Sequence, residues 1–285
     1  MSKHPPNPSA PERPNSSSRT LESALLALRM QRPNEAERLA AGVLKANRSN
    51  ALAAQILGNA LLVQNRHAEA IAPLERAARR SDDPAIKILL AEALVALGRI
   101  DEALDQLRDA AARRPPFPPA FLQYGAQLGK IGRLDEAIAV LESGLALTPD
   151  ALDLRMELGF LRLKRNDRAV ARAIFLQVLA AAPERYDVLP ALAKVMALDG
   201  EYAAAVDMFR RALALRPNDA VTRSNLGRCL LELGERDAGE ATLREAMRSA
   251  PNMAGQVISS LAAASRGRFF LRPSAVAKFL GAEKT

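Results

Sequence analysis

The chain has 285 residues, a length that admits one large core, two ordinary domains or an array of repeats. Apolar residues make up 49 % and charged residues 25 %, which excludes wholesale disorder; with only 4 % aromatics and no Trp, the core must be built mainly from Ala and Leu, strong helix formers. The formal net charge is +8, but Lys3, Arg13 and Arg19 at one end and Arg266, Arg268, Arg272, Lys278 and Lys284 at the other supply much of it, so the middle offers no broad footprint for a nucleic acid.

Cys229 is the sole cysteine and His4 and His67 the sole histidines, which excludes an intramolecular disulfide and any thiolate-rich metal centre. No cofactor is expected. Met1 to Thr20 is rich in Pro and Ser without an apolar run, unlike a secretory signal. The uncharged stretch from Ser49 to Asn65 is broken by Gln55, Gly58, Asn59 and Gln64 and is too short to span a bilayer. A cytoplasmic location is expected. Only 8 of the 40 cationic residues are Lys, a bias that suits a GC-rich bacterial genome as well as it suits function.

In chain order, residues 1–17 read as a disordered tail and the sequence then repeats itself every 34 residues. Small residues recur at Ala24, Gly58, Ala91, Gly125, Gly159, Ala193 and Gly227, and again at Ala36, Ala70, Ala103, Ala137, Ala171, Ala205 and Gly239. Both columns share a single one-residue deletion. A third column, Gln31, Asn65, Gly98, Gly132, Asn166, Gly200 and Gly234, holds Gly or Asn at six of its seven places, the residues that most readily adopt the left-handed conformation ending a helix. An apolar-periodic segment precedes each stop and another follows it, the second ending near Pro115, Pro149, Pro183, Pro217 or Pro251. Each unit is therefore a helical hairpin, in which the small columns let the two backbones approach. Larger residues at Leu57, Leu90, Tyr124, Leu158, Leu192 and Leu226, and at Leu74, Leu107, Leu141, Phe175, Phe209 and Leu243, are expected to fill the space between neighbouring hairpins. The units fall at about 17–50, 51–83, 84–117, 118–151, 152–185, 186–219 and 220–253.

After Pro251 the pattern changes: 254–265 reads as a capping helix, and 266–285 as a basic and aromatic segment containing Arg268, Phe269, Phe270, Arg272 and Phe279. Those rings either pack on the capping helix, dock to a partner or an acidic membrane surface, or insert into the chain's own groove.

This pattern, with Leu-Gly in the first helix, Ala in the second and Pro at the end, resembles the tetratricopeptide repeat family over about residues 17–253. The resemblance implies an all-α, right-handed α-solenoid of about seven helix-turn-helix repeats plus a C-terminal capping helix. Three departures stand out: Ser23-Ala24 replaces Leu-Gly in the first unit, the second unit ends in Asp82, and Arg162 occupies a usually apolar place.

Catalytic chemistry has little support. Gly125 to Lys130 mimics a phosphate loop but has three residues between its glycines and falls within a repeat helix, and neither Gly-x-Ser-x-Gly nor His-Glu-x-x-His occurs. Cys229 reads as a small buried hydrophobe, and His67 as a solvated residue at the start of a second helix.

What remains is surface. In the family the first helices line a concave face, and steps of 34 residues along it give Gln55 and Asn59, Ile88 and Glu92, Leu122 and Ala126, Met156 and Phe160, Pro190 and Lys194, and Ser224 and Arg228. The result is an apolar stripe around Leu122, Met156 and Phe160 that grades into cations. Some relatives bind chaperone termini through a Lys, Asn and Arg clamp on three consecutive first helices; here Asn59 is followed by Glu92 and Ala126, which disfavours that function. The expected role is a non-catalytic scaffold or adaptor holding a protein or peptide partner. The alternatives are an accessory subunit contacting anionic lipid, polymer or RNA through the basic tail, and a substrate-recruiting subunit of a separately encoded enzyme.

Overall fold

The computed structural model describes residues 16–264. The segment with Arg268, Phe269, Phe270, Arg272 and Phe279 lies outside the described residues. Among those described there are fifteen α-helices and one 3-10 turn, with no strand. The chain divides between Ile131 and Gly132 into two compact units.

The first unit holds α1 (Ser16–Arg29), α2 (Pro33–Ala46), α3 (Ala51–Val63), α4 (His67–Ala78), α5 (Pro84–Ala96), α6 (Ile100–Ala111) and α7 (Pro118–Lys130). Each helix packs on the next, and the first helices α1, α3, α5 and α7 also touch in succession. First helices start on strong signals: the Asn50 carboxamide accepts the Ala53 N–H at 2.8 Å, the Asp83 carboxylate accepts the Ala85 N–H at 2.9 Å, and α5 and α7 open with Pro. The Gly125 to Lys130 stretch lies inside α7, where no phosphate loop can form.

The second unit holds α8 (Leu134–Leu147), α9 (Leu152–Lys164), α10 (Arg168–Ala181), α11 (Val188–Leu198), α12 (Tyr202–Leu215), α13 (Ala220–Leu233), α14 (Arg236–Ser249), a 3-10 turn (Pro251–Met253) and α15 (Ala254–Ala263). The last helix packs on α13 and α14, where Val257 and Leu261 join Leu231, Leu243 and Met247 in an apolar cluster that covers the end of the final hairpin. A polar junction ties successive hairpins: the Tyr186 hydroxyl donates to Asp219, which caps α13 by accepting the Val221 and Thr222 N–H groups, and the Arg216 guanidinium lies 4.2 Å over the Tyr186 ring.

All seven residues of the stop column adopt positive φ, from 56° at Gln31 to 86° at Gly234. Gly98, Gly132, Gly200 and Gly234 do so freely, and Gln31, Asn65 and Asn166 do so at a steric cost.

The small columns act differently from expectation in one respect. A Cβ built on Gly159 would lie 2.5 Å from the Phe175 ring, one on Gly227 would lie 2.7 Å from Leu243, and one on Gly58 would collide with Leu74. The fillers Leu74, Phe175 and Leu243 thus occupy space inside their own hairpin, over the small residue of its first helix, and not only the gap between hairpins. Gly227 and Gly239 bring backbone directly onto backbone, since either Cβ would sit near 3 Å from the other's carbonyl oxygen.

Candidate partner-binding faces

In the first unit, the faces of α3, α5 and α7 hold six of the expected groove residues. Gln55 and Asn59 are half-buried on α3, and the Gln55 amide reaches Asp83 only at a long 3.4 Å. On α5, Ile88 is half-buried and Glu92 exposed. These two line a cleft of about 350 Å³ together with Ala91 and Val95 of α5, Leu107 of α6, and Gln123, Gln127 and Lys130 of α7. Leu122 and Ala126 are half-buried on α7 and do not line that cleft. The face of α7 turned toward α5 is one residue further round the helix than a step of 34 suggests.

In the second unit, Phe160 is 41 % exposed, with its ring centroid 5.3 Å from that of Phe175 and tilted by 59°. Lys194 is exposed and Arg228 half-buried. Met156 is a correction: it is 3 % exposed and belongs to the buried apolar cluster that also holds Phe175 of α10 and Val188, Leu189 and Leu192 of α11. An unbranched thioether readily fills an irregular gap in a core, and with Met156 buried the apolar stripe expected there shrinks to Phe160. Ser224 is likewise wholly buried, its hydroxyl without a partner. His67 is half-buried with Nδ1 enclosed and unbonded, against the expectation of a solvated ring.

Charge is organised at the entrances to the second helices, and its sign reverses along the chain. Arg66 grips Glu69 and Glu37, and Arg99 grips Glu102 with two bonds of 2.6 Å, which hold the Glu69 and Glu102 carboxyls below their usual range. In the second unit the entrance to α8 still carries Arg133, bonded to Glu136 at 2.6 Å, and the entrances to α10, α12 and α14 carry Asp167, Glu201 and Glu235 instead. Arg165 and then Arg162 hold Asp167 below the usual range, and Arg172 does the same for Glu201. These pairs occupy hairpin entrances, not the first-helix faces.

Sequence reasoning missed Gln123, Gln127 and Lys130. The signal for Gln127 was present: its 34-residue column reads Leu26, Ala60, Ala93, Gln127, Leu161, Val195 and Cys229, one amide among apolar residues. No group of His, Cys, Asp and Glu among the described residues could hold a metal ion.

Family models described as tetratricopeptide repeat match residues 88–151 and, through two copies of a second model, 132–195 and 196–263. A model for subunit 3 of the anaphase-promoting complex, or cyclosome, matches residues 29–110. None of the curated proteins compared matches this chain. Among solved structures, a tetratricopeptide repeat protein from Parabacteroides merdae is 14 % identical with a TM-score of 0.64, covering 93 % of this chain and 98 % of that one. The Cut9–Hcn1 hetero-tetramer of the anaphase-promoting complex gives 19 % identity and a TM-score of 0.62 over 83 % of this chain, which spans about half, 51 %, of the chain it matches. Pseudomonas aeruginosa pilF gives 20 % identity and a TM-score of 0.60, covering 70 % and 92 % of the two chains.

Proposed function

The chain belongs to the tetratricopeptide repeat family, and from that premise we propose that it is a non-catalytic scaffold or adaptor that holds a partner polypeptide against the faces of its first helices. The observation behind this reading is the cleft between neighbouring first helices α5 and α7, bounded by Ile88 and Glu92 on one side and Gln123 and Gln127 on the other. The recurring positions of the repeat are taken up by structure, the positive-φ stops by hairpin turns and the glycines of the small columns by close packing. Chemical variety is left to the first-helix faces, which change from amides on α3 to an acid on α5 and to Phe160, Lys194 and Arg228 further on. A surface of that kind recognises an extended or helical segment by local side-chain pockets.

The location that suits this role is the cytoplasm. No helix among the described residues is long and apolar enough to cross a membrane.

A photo-crosslinking amino acid placed in turn at Leu122 and Phe160, and at the exposed second-helix positions Asp105 and Asp207, tests the reading in native lysate. Adducts from the first-helix positions alone, retained when 266–285 is deleted, are expected. Equal yields from both kinds of position would overturn it, and adducts that vanish with 266–285 would instead favour the basic tail as the contact.

A further inference from the structure

The cleft between α5 and α7 contains a group that folding does not need. The Gln127 side chain is 7 % exposed, sits in a column that is otherwise apolar, lines the cleft, and makes no hydrogen bond with any described residue. Its carbon stem is buried while the amide itself opens onto the cleft, and the Leu, Val and Cys that fill the same place in later repeats show what packing alone would select. The groups around it are exposed side chains that are likewise open to a ligand. Glu92, Gln123 and Lys130 also form no hydrogen bond or ion pair among the described residues, although nearby charges do pair, Lys87 with Asp109 at 2.7 Å and Arg99 with Glu102 at 2.6 Å. Four polar groups facing one cleft are therefore free for a ligand.

The geometry orders them. Ile88, Glu92 and Val95 recur at i, i+4 and i+7 on α5, and Gln123, Gln127 and Lys130 do so on α7, so two stripes, each about 10 Å long at 1.5 Å per residue, face each other across the cleft. That length is about three residues of extended chain. Glu92 and Gln127 stand near the middle and Lys130 toward the C-terminal end of α7, while Ala91 and Leu107 form an apolar floor. A volume of 350 Å³ is at the small end for a drug-sized ligand and suits a short stretch of peptide.

We propose that this cleft is a reading slot for an extended peptide in which a basic and an acidic residue stand two apart, the Gln127 amide pairing with the peptide group between them. An amide presents one acceptor and a two-hydrogen donor, the complement of a backbone C=O and N–H. Residues two apart in an extended strand project to the same side, which brings the cation to Glu92 and the anion to Lys130, and the methylene stem of the basic residue covers Ile88 and the floor. The charge on the peptide answers the two unpaired charges of the slot, and the same logic disfavours peptides of one sign. The inference rests on the proposed role of the first-helix faces and names the partner chemistry at one of them.

The test uses the full chain and fluorescein-labelled peptides with Lys-Val-Glu or Glu-Val-Lys cores between Gly-Ser flanks, read by fluorescence anisotropy. One of these two orders is expected to bind at least tenfold more tightly than Lys-Val-Lys or Glu-Val-Glu cores. Gln127→Leu, the residue its column uses at position 161, is expected to weaken that binding at least tenfold while leaving the unfolding midpoint unchanged or higher. The double swap of Glu92→Lys with Lys130→Glu is expected to transfer the preference to the opposite order. The proposal is overturned if Gln127→Leu binds the peptide normally, if it lowers the unfolding midpoint so that the amide proves structural, if no mixed-charge peptide is preferred, or if a free amino acid displaces the peptide as well as the peptide displaces itself. Normal peptide binding by Gln127→Leu with first-helix crosslinking intact would remove the slot and leave the broader role standing.

Discussion

The Arg162 guanidinium on α9 donates to the Glu142 carboxylate on α8 and, at 3.3 Å, to Asp167 at the entrance to α10. One side chain, 17 % exposed, thereby joins three helices at a place where the other repeats put Ala, Leu or Met, which accounts for the departure visible in the sequence. Its Nε is buried without a partner, so part of the desolvation is uncompensated. Arg162→Leu is expected to hold stability within about 1 kcal/mol of the parent or raise it. Glu142→Ala leaves the guanidinium with Asp167 alone, and because Glu142 is half-exposed its loss is expected to cost about 1 kcal/mol, below the value for a buried pair. Urea is the suitable denaturant, since a salt would screen the pair. Loss of several kcal/mol in Arg162→Leu would show that the charge itself holds the three helices.

Two glycines inside helices should respond to the same substitution with opposite signs. Gly159 has the Phe175 ring where its Cβ would go, and Phe175 is fully buried. Overpacking there costs about 1–3 kcal/mol, against which helix propensity returns at most about 1, so Gly159→Ala is expected to lose about 1–2 kcal/mol. Gly42 in α2 is exposed with nothing within 4 Å of its Cβ position, so only the propensity gain applies and Gly42→Ala is expected to stabilise by about 0.5–1 kcal/mol. Urea unfolding of both variants checks the pair; a shared sign would mean that hairpin spacing is set elsewhere.

Backbone requirements were written plainly in the sequence because they act through one residue at a time. Only a few residue types tolerate positive φ or a missing Cβ, so Gly98, Gly132, Gly159 and Gly227 mark hairpin turns and crossings without knowledge of any neighbour. The binding face was less legible. A step of 34 residues finds equivalent places but not the direction each side chain takes, which let Met156 pass as a groove residue although it is buried in the core. Leu74 and Phe175 were placed too broadly for the same reason, since which gap a large side chain fills depends on where its neighbour has no Cβ. Gln127 was visible as an exception in its column, but its meaning needs the cleft it enters.

Gln31 completes the stop column as its sole member that is neither Gly nor Asn, and its φ is 56°. An L-residue in this conformation costs about 1–2 kcal/mol, while the greater freedom of Gly in the unfolded chain takes back about 0.4–1. Gln31→Gly is therefore expected to stabilise the chain by about 0.5–1 kcal/mol. Asn166→Gly should gain less, because Asn tolerates the region, and Gly98→Ala should lose about 1 kcal/mol. Thermal unfolding of the three variants orders them; an unchanged Gln31→Gly would mean that the first hairpin contributes nothing to the measured transition.

Cys229 lies in the core of the second unit with no exposed surface, and burial pushes its thiol up to about 11, Glu232 adding to the rise and Arg228 opposing it. The native thiol therefore stays protonated at pH 8, and iodoacetamide should alkylate it only as fast as the helices around it open. The same shift makes stability depend on pH. An unfolded thiol ionises near 8.5 and the folded one near 11, so between these values the folded state binds more protons and the contribution to stability falls as pH rises, by at most about 1.4 kcal/mol per unit. Tyr and Lys side chains also titrate in this window, which makes the informative quantity the difference from Cys229→Ala. That variant should show the shallower decline from about pH 9 to 11. Equal slopes would mean that α13 already admits water around the sulfur.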